Sequence, residues 1–196
     1  MACSPQADKP DPHTTSPASP ASPWVLRFAP LVPRGVAVLD LAAGGGRHSR
    51  LFLERGHPVL AVDRDVSALT PLARYSAFRA LAADLEDGRP FPLAGQHFAG
   101  VVVTNYLYRP ILAAVIDAVA LGGLLIYETF AVGNEAFGKP SNPAFLLRHG
   151  ELLEAVRGRL RVVAYEDRII AEPRPAVVQR IAAVRDGEIP DAGEET

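Results

Sequence analysis

Short apolar runs alternate with amphipathic stretches along most of this 196-residue chain. Runs at 36–41 (VAVLDL), 58–63 (PVLAVD), 78–83 (FRALAA), 98–104 (FAGVVVT) and 124–130 (LLIYETF) are short and bounded by turn residues, so each predicts a buried strand. Apolar positions at helical spacing predict helices over about Arg47–Arg55, Val66–Arg74 and Ile111–Ala120, with Gly56 closing the first. This alternation implies a mostly parallel sheet covered on both faces. An amphipathic stretch, WVLRFAPLV, precedes the first strand and stops at Pro33. The connection Leu85–His97 holds Gly88, Pro90, Pro92 and Gly95 and predicts a loop. A long loop, VGNEAFGKPSNP, follows the fifth run, and a helix is expected from about Pro143 to Val156. The last two strands, 160–170 and 176–185, are joined by the five residues AEPRP. That link is too short for a crossover helix, so the two are antiparallel neighbours. The predicted fold is α/β and Rossmann-like, a seven-stranded, mostly parallel sheet with helices on both faces and a C-terminal antiparallel hairpin.

Composition changes this picture mainly at the ends. Residues 1–22 are rich in proline and serine, carry almost nothing that packs, and are expected to be a disordered tail with neither a basic nor an apolar signal-peptide region. The expected domain covers 23–185, and 186–196 reads as an acidic, flexible tail. The formal net charge of -2 gives no general indication of a nucleic-acid partner, although all the basic residues except Lys9 and Lys139 are arginines. No apolar run reaches the roughly 20 residues that span a bilayer, so no membrane partner is expected. Cys3 is the only cysteine, which excludes an intrachain disulfide and a cysteine zinc site and fits a reducing, cytoplasmic setting. No cluster of His, Cys or carboxylates has metal-ligand spacing. Nothing in the sequence specifies an oligomeric state.

The densest chemical signal is VAVLDLAAGGGRHS at 36–49. An apolar strand delivers Asp40, small residues fill 42–46, and a helix opens near Arg47. Such a turn lets backbone approach a ligand, and the helix start presents unpaired N–H groups. Asp63 closes the second strand, seventeen residues after Gly46, where a carboxylate can accept bonds from both ribose hydroxyls of an adenosine-type ligand. The competing role for Asp63 is to cap the next helix, beside Asp65. A nicotinamide site would need glycine or alanine where Ser49 stands, and no Tyr-x-x-x-Lys pair is present. An NAD(P)-dependent oxidoreductase is therefore the lesser alternative.

The 36–49 segment resembles the glycine-rich motif of class I S-adenosylmethionine-dependent methyltransferases. Gly44 and Gly46 fill its second and third glycine positions. Ala42 stands at the first and argues against a left-handed backbone there. The resemblance extends, in order, to Asp63, to Asp84-Leu85 after the third strand, to Asn105-Tyr106 after the fourth, and to LGGLLIYE at 121–128, whose Gly-Gly turn precedes the fifth strand. It implies an S-adenosyl-L-methionine site formed by Asp40, Ala42, Gly44, Gly46, Arg47, Asp63, Arg64, Asp84, Leu85 and Asn105. Asp40 would act near the methionine ammonium, and Asp84 would receive the adenine amino group. Within the family, DLAAGGGRHS followed by RGHPVLAVDRD looks most like small bacterial methyltransferases of the tellurite-resistance type. Asn105-Tyr106-Leu107-Tyr108 weakly resembles the Asn-Pro-Pro-Tyr motif of enzymes that methylate base amines, but lacks its two prolines.

The implied activity is methyl transfer to a small-molecule acceptor that the sequence leaves open. The alternatives are a nucleic-acid or protein acceptor, and a catalytically silent domain that binds adenosylmethionine. Candidates for acceptor contact or a general base are Tyr106, Glu128, Asn134 and Glu135, with Phe137 and Lys139 in the same loop, which is expected to act as a lid. His48 is expected to pack at the helix start, and His57 lies at the wrong sheet edge.

Overall fold

The computed structural model describes residues 19–187. One seven-stranded sheet is formed by β1 (Val38–Leu41), β2 (Val59–Asp63), β3 (Phe78–Ala82), β4 (Phe98–Thr104), β5 (Val119–Phe130), β6 (Arg161–Ile170) and β7 (Ala176–Val184). Its spatial order is β3-β2-β1-β4-β5-β7-β6. Pairings from β3 across to β5 are parallel, while β7 runs antiparallel to both β5 and β6. The predicted architecture and terminal hairpin are both present. β7 lies between β5 and β6, so β6 forms the outer edge.

Successive strand residues face opposite sides of the sheet, and both sides are packed. Leu39, Leu41, Val101, Val103, Leu125 and Tyr127 meet Ile111 and Val115 of α3 (Arg109–Asp117) and Leu152 and Val156 of α4 (Glu151–Val156). On the other side, Val38, Val102, Leu124 and Ile126 meet Trp24, Val25 and Phe28 of α1 (Pro23–Phe28) and Phe52 and Leu53 of α2 (Arg47–Glu54). Double-sided burial explains why these strands read as continuous apolar runs.

Several boundaries differ from the sequence reading. The segment Ser67–Arg74 is a 3-10 helix with Pro71 inside it, a residue that has no N–H to contribute to an α-helical ladder. Helix α3 stops at Asp117, and β5 begins at Val119, ahead of the Gly122-Gly123 pair and with a register shift opposite β4. The helix expected from Pro143 is a 3-10 turn (Pro143–Phe145), then extended chain bridging Ala131 to Leu147, then α4. The packed chain also begins before residue 23. Ser22, assigned from sequence to the tail, is 4% exposed and caps α1 by accepting the Trp24 N–H. Residues 1–18 of that expected tail and most of the expected C-terminal tail lie outside the described residues. No helix among the described residues is long and apolar enough to cross a membrane.

Candidate active site

The chain leaves β1 for β2 on one side and reaches β4 on the other, so a crevice opens between the carboxyl ends of β1 and β4, the position at which open α/β sheets hold ligands. The only two non-glycine residues with positive φ among those described flank this point. Ala42, after β1, has φ 53°, and Asn105, after β4, has φ 55°. The left-handed backbone that alanine argued against is therefore adopted. Such strain concentrates where surrounding structure imposes it, typically at functional sites. Asn105 is held by its N–H donating to the Glu128 carbonyl (2.9 Å).

The glycine turn is fastened to β2. The Gly44 N–H donates to Asp63 Oδ2 (2.8 Å), while Asp63 Oδ1 accepts the Asp65 N–H (3.1 Å). An ionised carboxylate has about four lone-pair sites, so this leaves roughly half its accepting capacity. Asp65, not Asp63, accepts the Ser67 N–H at the start of the 3-10 helix. Gly46 has φ 71°, and a Cβ there would lie 2.7 Å from both Leu69 and Leu72 side chains, so the turn is seated closely on that helix.

A cleft beside this turn is lined by Ala42, Asp63, Arg64, Asp84, Leu85 and Tyr106, all predicted site residues. Ala83 and Glu86 complete it and were not anticipated. Asp84 is exposed and accepts the Glu86 N–H through Oδ1 (2.9 Å). Tyr106 is largely buried; burial, with Glu86 and Tyr127 nearby, raises its phenol above the ordinary range. It is thus a wall of the cleft rather than a base at neutral pH. The acceptor set fits an adenosine-type ligand: Asp63 keeps accepting capacity at the cleft wall, next to Asp84 and Leu85.

Asp40 lies deeper, 1% exposed, and accepts both the N–H (2.8 Å) and the hydroxyl (2.6 Å) of Ser49. Burial pushes its carboxyl up to about 7 against the lowering effect of these bonds and of Arg47. Arg47 reaches away from the cleft lining and donates to the Pro20 carbonyl (3.3 Å).

The sequence candidates in the loop after β5 do not line this cleft. Asn134 is 2% exposed; its amide donates to the Pro140 carbonyl (3.0 Å) and accepts the Val177 N–H (3.2 Å), which pins the loop to β7. Both ends of its amide are thus occupied by backbone. Glu135 turns back onto the Gly133 N–H (2.8 Å), while Phe137 and Lys139 are exposed. The far end of the same loop is clamped by Arg109, which binds Glu151 through two bonds and donates to the Ala144 and Leu146 carbonyls. A fastened loop replaces the expected lid.

Glu128 belongs to a polar row on the α1 side of the sheet, running through Thr104, Glu128, Arg180 and Glu166 on four adjacent strands. Its carboxylate accepts from Ser22 Oγ (2.7 Å) and from Arg180 (3.1 Å), while Arg180 also binds Glu166 (2.6 Å) and lies over the Trp24 ring. His48, 1% exposed, accepts the Ser22 N–H at Nε2 (3.1 Å) and approaches Thr104 Oγ1 at Nδ1 (3.4 Å). Burial, then the Arg47 charge, drives its pKa down to about 3, so the ring is neutral. His57 is buried at the opposite end against the Val36 carbonyl and Phe52.

No family model matches the chain. A 70-residue stretch is 47% identical to a ribosomal RNA small subunit methyltransferase H of Anaeromyxobacter sp. (strain Fw109-5), covering 33% of this chain and 21% of that protein. The counterpart from Anaeromyxobacter dehalogenans is 46% identical over 60 residues, 28% of this chain and 19% of that one. The chain thus spans about a fifth of the length of these curated relatives. Among solved structures, TehB from Haemophilus influenzae superposes with a TM-score of 0.64 at 17% identity, over 84% of this chain and 61% of that one. A 1,6-didemethyltoxoflavin-N1-methyltransferase from Burkholderia thailandensis, determined with S-adenosylhomocysteine, superposes at 0.61 with 23% identity, over 84% and 76%. The chain has the Rossmann-like fold of class I S-adenosylmethionine-dependent methyltransferases.

Proposed function

We propose that this chain is a cytoplasmic S-adenosylmethionine-dependent methyltransferase acting on a small-molecule acceptor. The observation that carries this reading is the cleft at the β1/β4 switch, where Asp63 clasps the glycine turn and shares a wall with Ala42, Arg64, Asp84 and Leu85. Asp63 and Asp84 would hold the adenosine end, and the turn from Ala42 to Gly46 would take the amino-acid end beside Asp40. When bound, the cofactor supplies an electrophilic methyl group on a sulfonium whose departure as a neutral thioether needs no acid. What the protein contributes is then alignment, with Asn105 and Tyr106 beside the glycine turn, and exclusion of water by the packed α1 side. The small-molecule acceptor is supported by the net charge of -2 and by the Burkholderia likeness. A ribosomal RNA acceptor is the second reading, favoured by the 70-residue likeness.

Calorimetry with adenosylmethionine, S-adenosylhomocysteine and NADH tests the assignment. Micromolar-range binding of the first two and at least about tenfold weaker NADH binding, a gap of about 1.4 kcal/mol, is expected. Comparable or tighter NADH binding overturns it. Transfer of labelled methyl to small amines, alcohols and thiols against transfer to ribosomal RNA separates the two acceptor readings.

A further inference from the structure

We infer that Ser22 occupies, from within the chain, the recognition site for the methyl acceptor, and that this site takes a vicinal N–H/O–H donor pair such as a 1,2-amino alcohol. The inference rests on the methyl-transfer reading of the neighbouring cleft and deepens it.

Two acceptors lie on the α1 side of the sheet, the part-buried Glu128 carboxylate near the carboxyl end of β5 and the buried His48 Nε2 in the first turn of α2. Both are served by one residue. Ser22 donates its hydroxyl to Glu128 (2.7 Å) and its backbone N–H to His48 (3.1 Å), so the atoms N, Cα, Cβ and Oγ present a 2-aminoethanol skeleton to the pair. The Arg47 bond to the Pro20 carbonyl holds the same segment in place. This pair lies next to residues of the cofactor cleft. Glu128 binds Asn105 through its carbonyl, Tyr106 lines the cleft, and His48 lies two residues beyond Gly46.

The segment is poised for exchange. Residues 19–21 make one long hydrogen bond, from Arg47, while the apolar anchors Trp24, Val25 and Phe28 all follow Ser22. Withdrawal of 19–22 exposes these two acceptors and releases Arg47 from the Pro20 carbonyl. Arg180 is already bound to Glu128 and Glu166, and His48 offers Nδ1 to Thr104. A thiol does not supply the two adjacent donors that this pair of acceptors matches. A ligand with two adjacent donors replaces both bonds, and an amine gains from the nearby carboxylate.

The test is a titration of histidine-labelled protein with 2-aminoethanol, with ethanethiol as control, following the His48 ring signals by NMR. Three forms are compared: the full chain, the chain lacking residues 2–22, and full-length Ser22→Ala, which keeps the segment but frees Glu128. The truncated form is expected to show saturable His48 shifts with 2-aminoethanol at concentrations at least tenfold lower than the full chain, with Ser22→Ala between them. Ethanethiol is expected to leave all three unchanged. No His48 response to 2-aminoethanol in either variant, or an equal response to ethanethiol, overturns the inference. If the truncated form does not fold, the Ser22→Ala comparison alone decides by the same criterion. No cofactor is needed, so failure here is distinct from failure of adenosylmethionine binding in calorimetry.

Discussion

Asp40 makes cofactor affinity depend on pH in a way that can be worked out in advance. In the free protein its carboxyl titrates near 7, because burial outweighs two bonds from Ser49 and the charge of Arg47. If Asp40 faces the cofactor's α-ammonium, only the ionised form is complementary, and below the titration point binding must expel a proton. The ammonium itself titrates at about 8, so it stays charged over the acidic range. Affinity should then fall by one logarithmic unit per pH unit below 7. At a pH about 1.5 units lower the loss is about thirtyfold, or about 2 kcal/mol at roughly 1.36 kcal/mol per unit. Calorimetry between pH 5.5 and 8, in two buffers of different ionisation enthalpy, reads both the affinity and the proton released. Asp40→Asn should bind more weakly at pH 8 and lose the slope. An affinity that stays flat across this range, or an equal slope in Asp40→Asn, would refute the reasoning. The same titration affects folding with the opposite sense. The native state keeps a proton that the unfolded chain loses near 3.8. Asp40's contribution to stability is therefore full below about 4 and declines as pH rises to about 7. Asp40→Asn should flatten that part of the thermal-midpoint profile.

Asp63→Ala should weaken cofactor binding by about 1.5–3 kcal/mol, the scale for bonds to a charged partner, and should also lower the thermal midpoint, because Gly44 and Asp65 lose their acceptor. Lost stability with unchanged affinity would show that Asp63 serves the turn alone. Asn134→Ala should cost about 1–3 kcal/mol in denaturant unfolding, since two buried backbone groups are left unpaired. Cofactor affinity should stay unchanged, and lost turnover at full stability would restore Asn134 to the acceptor site. Deleting residues 2–22 should lower the thermal midpoint below that of a 2–18 deletion by removing the α1 cap, worth about 1 kcal/mol. Equal midpoints for the two deletions would mean that Ser22 contributes nothing to stability.

The parts of the site that lie within a few residues of a strand end were legible in the sequence. Asp63, Asp84 and Leu85 follow apolar runs whose length and spacing place them at one sheet edge, and the structure puts all three on one cleft with Ala42 and Tyr106. What escaped were polar contacts between distant segments. Ser22 and Glu128 are separated by 106 residues, and nothing local in SPASP distinguishes the buried Ser22 from Ser19. Asn134 was misjudged for the same reason. A loop rich in polar side chains looks functional until its partners, here the Pro140 carbonyl and the Val177 N–H, are known. Helix readings failed where a competing local preference prevailed: the element around Pro71 is 3-10 rather than α, and the helix expected from Pro143 starts only at Glu151.

The place of β7 constrains how the chain can be built. β6 precedes β7 in the sequence but lies outside it, with no pairing to β5. During synthesis, therefore, β6 emerges with no sheet to join. Until residues 176–184 arrive, the free edge of β5 displays its backbone donors and acceptors beside the apolar run LLIY. An open, apolar strand edge is a template for pairing with other chains, and long-range pairing of this kind is slow to form. Nascent chains halted before β7 should thus bind chaperones and aggregate, whereas those carrying it are sealed in one step, as β7 docks with β5 on one side and β6 on the other.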